Sequence, residues 1–113
     1  DGMIYFASSD DGLAGMCGIY LGDSTKTRHS AMIVSVYVRA AWRGLHTAEG
    51  LIGQCVEWAR SQGVTVVKLA VVTGNTAAIR CYTRCGFSIY GTEPQAICYG
   101  GRMYDELLMA RLV

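Results

Sequence analysis

The segment Arg43 to Ala48, which reads RGLHTA, places a cation and a glycine directly before an amphipathic stretch. The first backbone N–H groups of a helix have no intrahelical partners, and the helix dipole adds partial positive charge there. Gly44 permits a tight turn or the close approach of a ligand phosphate. The segment is therefore a candidate phosphate or pyrophosphate site, in which main-chain groups and Arg43 hold the anion.

A second segment, NTAAIRCYTRCGF at residues 75–87, contains a tyrosine that could supply a proton. The pattern predicts a short helix with Asn75 at its N-cap and Gly86 at its C-terminal break. Ala78 and Tyr82 fall on one face of this helix. Tyr82 is therefore either an aromatic residue that packs the helix onto the sheet or a phenol that donates a proton.

Strands are predicted to precede both segments. Residues 30–38 form a β-branched and aromatic run that predicts a buried strand, and residues 64–72 predict a second one. After the turn, with Thr47 near its start, a helix is predicted to end at Gly63. Its apolar stripe recurs at three- and four-residue steps through Ala48, Leu51, Ile52, Cys55, Val56 and Ala59.

The rest of the chain predicts further strands, which gives a mixed sheet with two helices. An N-terminal hairpin of residues 3–7 and 13–21 turns at Asp11-Gly12, and residues 22–29 form a polar loop. Three short C-terminal strands are predicted, separated by glycines, a proline and a Gly100-Gly101 turn: residues 87–90, 96–99 and 103–112.

Composition fits one domain over residues 1–113, because 51% of the residues are hydrophobic and 17% are charged. A formal net charge of +1 without a run of Lys or Arg argues against a nucleic-acid surface. No apolar stretch approaches the roughly eighteen residues of a membrane span, and no signal peptide pattern is present. We therefore expect a soluble, cytoplasmic protein with no nucleic-acid or membrane partner.

The five cysteines are expected to be small buried apolar residues, because they include no CxxC pair and no His at zinc spacing. Cys81 and Cys85 lie four apart on one helix, which offers only two ligands and poor disulfide geometry. No metal site is predicted.

Both segments resemble motifs of the GNAT superfamily of acyl-CoA-dependent N-acetyltransferases. The first is similar to the family's pyrophosphate signature, which reads Gln or Arg, two residues, Gly, one residue, Gly or Ala. Arg43 and Ala48 match it, whereas His46 replaces the first Gly. The family's Asn, Ala, Tyr, Gly-Phe segment is matched at Asn75, Ala78, Tyr82, Gly86 and Phe87. The resemblance covers roughly residues 4–112. It implies an α/β (mixed α+β) fold with a twisted, mostly antiparallel sheet of six to seven strands and two main helices.

The resemblance implies acetyl-CoA as cosubstrate, bound in a V-shaped split between the two predicted buried strands. The pantetheine arm would pair with the first of these strands, and the pyrophosphate would lie on the amides of residues 43–48. Tyr82 would lie by the CoA sulfur as proton donor, with an amide near Val38 polarising the thioester carbonyl. The expected cofactor residues are Val36, Tyr37, Val38, Arg43, Gly44, Leu45, His46, Thr47, Ala48, Asn75, Ala78 and Tyr82.

Two groups of polar side chains leave alternatives open. His46 would obstruct the ligand loop if its φ were positive, would lie beside the phosphates if φ were negative, or would face solvent without a role. Arg80 and Arg84 share a helix face and either reach the nucleotide phosphate or are solvated surface residues. A general base is needed, but the sequence does not choose among Glu93, Asp105, Glu106 and His29.

The front of the chain departs from the family, in which a strand and one or two helices normally precede the hairpin. The acceptor pocket is therefore completed by another subunit, or is a shallow groove, or belongs to a longer chain. A homodimer is expected to cover exposed apolar surface.

The leading hypothesis is transfer of an acetyl group to a primary amine of a small molecule, peptide or protein. The alternative is a non-catalytic CoA or acyl-CoA binding module.

Overall fold

The computed structural model describes residues 1–10, 12–44 and 46–113. Within them, six strands form one sheet and two α-helices pack against it, which confirms the mixed fold and its strand number. A short 3-10 turn, Ala40–Trp42, follows the third strand. The elements in chain order are β1 Gly2–Ser9, β2 Gly12–Leu21, β3 Ser30–Val38, α1 Thr47–Ser61, β4 Val66–Val72, α2 Thr76–Arg84, β5 Ser88–Tyr99 and β6 Arg102–Leu112.

The sheet has the strand order β1-β2-β3-β4-β6-β5. Every neighbouring pair is antiparallel except β3 and β4, which are parallel. In the described register, β3 pairs with β4 only from Ser30 opposite Val66 to Met32 opposite Lys68. Beyond these residues the two strands separate, so the predicted V-shaped split between them is confirmed.

A bulge in β3 lies beside this split. The pairing of β2 with β3 steps from Gly18 opposite Val34 to Met16 opposite Tyr37, so β3 contains one extra residue. Ser35 lies in the bulge with a φ of +56°. Such an insertion bends the strand and increases its twist, which turns the end of β3 away from a regular sheet.

The main chain of β3 beyond the bulge faces the split. Arg39 N–H donates to Ala14 C=O across the β2 side at 2.7 Å. Successive peptide groups of a strand alternate in direction, so the N–H and C=O of Val38 point to the opposite side. An unpaired strand edge of this kind can hydrogen-bond an extended ligand.

Both helices cover the same face of the sheet. The predicted apolar stripe of α1 is confirmed, because Ile52, Cys55 and Ala59 are fully buried against the strands. Tyr82 of α2 and Phe87 belong to the same core. Burying apolar side chains here supplies the main driving force that holds α1 and α2 on the sheet.

Local sequence signals predicted most helix ends correctly. The Asn75 side chain accepts a hydrogen bond from Ala78 N–H at 3.2 Å, so it is the N-cap of α2. Gly63 and Gly86 both take positive φ near the ends of their helices, at +81° and +91°. At the N-terminal hairpin, Ser9 Oγ donates to Gly12 C=O, whereas the predicted turn residue Asp11 lies outside the described residues.

Two strand predictions were wrong. The separate strands predicted at residues 87–90 and 96–99 form the single strand β5, which pairs with β6 along its length. Irregularities after Ile89 and after Glu93 accommodate Gly91 and Pro94 without ending the pairing, and Gln95 takes a φ of +52° there. Proline is tolerated because β5 is an edge strand with one side free of ladder bonds. The second buried strand begins at residue 66 rather than 64.

No helix in the described part of the chain is long and apolar enough to cross a membrane. No group of three or more His, Cys, Asp or Glu residues there is arranged to hold a metal ion.

Candidate active site

A cleft of about 500 Å³ opens where β3 and β4 separate, and α1 and α2 form its other walls. It brings together every predicted cofactor residue except Leu45, which lies outside the described residues. Those lining the cleft are Val36, Tyr37, Val38, Arg43, Gly44, His46, Thr47, Ala48, Asn75, Ala78 and Tyr82.

Arg43 contacts the β3 wall of this cleft. Its Nε donates to the C=O of Val38 at 3.0 Å, so the guanidinium folds back onto the strand end. Arg43, the residue predicted to bind the pyrophosphate, is therefore hydrogen-bonded to Val38, which was predicted to contact the pantetheine arm. The remaining guanidinium N–H groups keep the capacity to donate to an anion, because Arg carries five donors in all.

The turn before α1 uses two left-handed residues. Gly44 has a φ of +79° and His46 a φ of +61°. Thr47 Oγ1 donates to Trp42 C=O at 3.4 Å, which helps to hold the turn against the helix start. The amides of the first helical turn have no intrahelical acceptors, and they begin at the cleft. This geometry fits the predicted anion-binding role.

His46 takes a positive φ, at the position where the family signature has glycine. This is the condition under which its side chain was expected to obstruct the ligand loop. A non-glycine residue in this region carries local strain. Its imidazole is largely exposed, with Nδ1 3.2 Å from Oε1 of Glu49. His46 is therefore an exposed residue whose imidazole is held by Glu49.

Glu49 connects the two helices that form the cleft. The same Oε1 accepts a hydrogen bond from Nε of Arg84 on α2 at 2.7 Å. The pKa of the Glu49 carboxyl is held below its usual range, mainly by the hydrogen bond from the Arg84 guanidinium and to a smaller extent by the one from the His46 imidazole. The carboxylate in turn raises the pKa of Arg84. Arg84 lines the cleft, whereas Arg80 is exposed and is not among the described lining residues.

Tyr82 presents its phenol to the cleft from α2. The residue is 7% exposed, and burial raises its pKa to about 12. The sequence had suggested a phenol of ordinary acidity, so the structure changes this expectation. Within the described residues the Tyr82 hydroxyl makes no hydrogen bond. It therefore stays protonated at neutral pH and can donate to a group that enters the cleft.

The thiols near Tyr82 are buried, as the sequence predicted for most of them. Sγ of Cys55 donates to Sγ of Cys17 at 3.5 Å, and this contact together with burial raises the pKa of Cys17. Burial also raises the pKa of Cys81, a cleft residue, to about 12. A thiol needs its thiolate form to act as nucleophile, so the raised pKa values make Cys17 and Cys81 poor nucleophiles at neutral pH.

A second, more open hollow of about 670 Å³ adjoins the cleft and shares Asn75 with it. Residues 72–75 and 103–105 form its walls. The Asp105 carboxylate lies here, and its Oδ1 accepts from Gln95 N–H at 2.8 Å. Of the other base candidates, Glu93 pairs with Glu106 across β5 and β6, and His29 lies next to the opposite end of β3.

The sequence missed several residues of the cleft wall: Trp42, Glu49, Ala77 and Cys81. Glu49 had a usable signal, because it lies three residues after His46 at the start of a helix and therefore shares its face. Ala77 is the residue before the predicted Ala78. Cys81 comes four residues after Ala77, and helical spacing places these two on the same face. Trp42 had no comparable signal, since it belongs to the irregular turn.

The chain belongs to the acetyltransferase (GNAT) family, whose family model matches residues 1–87. This match confirms the family resemblance carried by the two motifs, and the predicted fold agrees with it.

Relatives and solved structures agree with this membership. An L-methionine sulfoximine/L-methionine sulfone acetyltransferase of Pseudomonas aeruginosa is 40% identical over 75 residues, which is 66% of this chain and 44% of that protein. The chain thus spans less than half the length of the curated relatives it matches. A GNAT acetyltransferase from Streptococcus pneumoniae has the same fold, with a TM-score of 0.90, 24% identity, and coverage of 99% of this chain and 67% of that one. A Salmonella typhimurium protein, solved with its cofactor acetyl-CoA, matches with a TM-score of 0.86, 23% identity, and coverage of 96% and 63%.

Proposed function

We propose that residues 1–113 form one acetyl-CoA-dependent N-acetyltransferase domain that acetylates a primary amine. The observation that carries this proposal is the cleft in which an open edge of β3, the first turn of α1 and the phenol of Tyr82 face one space. Membership of the GNAT family supports the reaction type. The acetyl-CoA complex of a protein with this fold supports the cofactor.

In this proposal the pantetheine arm lies along β3 beyond the bulge and pairs with the N–H and C=O of Val38. The pyrophosphate lies on the first-turn amides of α1, where Arg43 can release the Val38 carbonyl and donate to a phosphate instead. Such an exchange replaces a neutral acceptor with an anionic one, and charge-assisted hydrogen bonds are the stronger kind.

The chemical step is attack of a neutral amine on the thioester carbonyl carbon. A C–N bond forms, the C–S bond breaks, and the bonding electron pair leaves on sulfur. Tyr82 donates its phenolic proton to this sulfur, and the proton lost by the amine restores the phenol through solvent. The Val38 amide polarises the carbonyl oxygen. The products are the N-acetyl amine and CoA with a free thiol.

We place the amine acceptor in the hollow that shares Asn75 with the cleft, because an acceptor must lie beside the thioester. Asp105 is the best-placed base among the four candidates, acting directly or through water, since the other three do not line this hollow. The Pseudomonas aeruginosa relative is named for two amino-acid analogues. This supports a small amino-acid-like acceptor, and we propose L-methionine sulfone as the first compound to try.

Calorimetric titration with acetyl-CoA, with ATP as the control ligand, tests the cofactor assignment. Saturable binding of acetyl-CoA without binding of ATP is expected. Turnover is then followed as release of CoA thiol with L-methionine sulfone. Binding without turnover on any amine would favour the rival function, a non-catalytic acyl-CoA binding module. Absence of binding would refute both.

Location and assembly remain predictions. We propose the cytoplasm, which suits a chain with five free cysteines because that compartment keeps thiols reduced. We also propose a homodimer, because the sheet face opposite the helices exposes Ile4, Phe6, Tyr20 and Val34. Sedimentation velocity measures the second prediction, and a monomer at micromolar concentration would refute it.

A further inference from the structure

One carboxylate oxygen is shared by a guanidinium and an imidazole at the cleft. Oε1 of Glu49 lies 2.7 Å from Nε of Arg84 and 3.2 Å from Nδ1 of His46. All three residues line the cleft. His46 belongs to the turn before α1, and Arg84 belongs to the last turn of α2, so this contact spans the space between the two helices.

This contact adds a side-chain link between α1 and α2 where the two helices already meet. α1 packs on β1, β2 and β3, whereas α2 makes more close contacts with α1 than with any one strand. The Glu49 side chain is about three-quarters buried, whereas the Arg84 and His46 side chains are mostly exposed. Without an anchor, the exposed Arg84 side chain would sample many rotamers and would lose that freedom when a ligand bound.

An anion beside a phosphate site would at first be expected to oppose binding. Here, however, its charge is matched by Arg84, whose Nε lies 2.7 Å from Oε1. For Glu49 to favour binding, ordering the Arg84 side chain before the ligand arrives must contribute more to binding than the carboxylate's repulsion costs.

We propose that Glu49 is a positioning residue of the cofactor site, which holds Arg84 ready to contact the phosphates of CoA and anchors the His46 imidazole at the turn before α1. This inference rests on the proposed function, because it assumes that the cleft binds acetyl-CoA. It goes beyond that function by assigning the geometry of the phosphate site to an acidic side chain that does not itself contact the ligand.

The test compares two ligands on matched variants. Acetyl-CoA contains the phosphates, whereas acetyl-pantetheine ends before them. Calorimetry measures the Kd of the first ligand, and NMR titration measures the weaker Kd of the second. The variants are Glu49→Gln, Arg84→Gln and the double variant. The control is Glu57→Gln on the same helix, where Glu57 pairs with Arg60 away from the cleft.

Glu49→Gln is expected to weaken acetyl-CoA binding about five- to tenfold and to change acetyl-pantetheine binding less than about twofold. Arg84→Gln should act similarly, and the double variant should lose little more than Arg84→Gln alone, because the two residues act as a unit. Glu57→Gln should bind as the wild type does. Thermal melting confirms that each variant is folded.

Three results would overturn the proposal. Tighter binding of acetyl-CoA by Glu49→Gln would mean that the carboxylate competes with the phosphates. Equal losses for both ligands would indicate a general structural role. Additive losses in the double variant would separate Glu49 from Arg84. Failure of the wild type to bind acetyl-CoA is a different outcome, because it removes the proposed function itself.

Discussion

Replacing Tyr82 with phenylalanine removes one hydroxyl and leaves the aromatic ring that packs in the core. The ring stays in place because it is largely buried with its neighbours on the sheet. The hydroxyl makes no hydrogen bond within the described residues, so its removal leaves no partner unsatisfied. The free energy of unfolding should therefore change by less than about 1 kcal/mol.

The rate should change much more than the stability. A positioned general acid contributes about 10²- to 10⁴-fold. Burial raises the pKa of Tyr82 to about 12, which makes the phenol a weak acid and favours the lower end of that range. We expect kcat to fall about 10²-fold in Tyr82→Phe, which corresponds to about 2.7 kcal/mol of transition-state stabilisation. The KM for acetyl-CoA should stay within about twofold, because the phenol acts on the departing sulfur rather than on the bound ground state.

Steady-state rates of CoA release, measured for wild type and Tyr82→Phe across a range of acetyl-CoA concentrations, separate kcat from KM. The wild-type rate should also show no loss from ionisation of this phenol between pH 8 and 11, because the hydroxyl keeps its proton up to about pH 12. Equal kcat values for the two proteins would refute the assignment of Tyr82 as proton donor. A large rise in KM at constant kcat would instead give Tyr82 a binding role.

Three further predictions concern the cleft and its surroundings. Ala48→Glu should weaken acetyl-CoA binding at least tenfold in a folded protein, because it places an anion at the proposed phosphate site. The control Gln54→Glu, on the exposed side of the helix, should bind as the wild type does. Equal affinities of Ala48→Glu and wild type in calorimetry would remove the pyrophosphate assignment. His46→Gly should raise the free energy of unfolding by up to about 1 kcal/mol in urea titration, since glycine adopts a φ of +61° without strain, and a decrease in the free energy of unfolding would contradict the strain argument. Stability should fall as pH rises from 9 towards 12, because the Cys81 thiol ionises near 9 when unfolded but keeps its proton to about 12 when folded, and Cys81→Ala should flatten that decline.

The parts of the fold that the sequence predicted well depend on short-range chemistry. The apolar period of α1 and the cap at Asn75 are each determined within one or two helical turns. The proposed cofactor residues were predicted as a set because the family motifs assign them together, and those that the structure describes line one cleft.

The parts that the sequence did not predict depend on distant partners. Nothing in the residues around Ser35 indicates a left-handed bulge, because the bulge is defined by register against β2. Gly91 and Pro94 predicted a strand break, but Gly91 pairs with Leu108 and pairing with β6 resumes at Ile97 after Pro94. The link between Glu49 and Arg84 joins residues 35 positions apart, so it needed the packing of α1 near α2.

The cleft depends mainly on how β3 is held at its two ends. At its start β3 pairs with β4 for three residues, which fixes the apex of the split. At its end it stays paired with β2, so the bulge at Ser35 directs the strand away from β4 while the peptide groups of Val38 face the opening. The same end supports the turn into α1, because Arg43 donates to Val38. One strand therefore determines both the proposed pantetheine edge and the position of the proposed phosphate site, and a change in its register would displace both together.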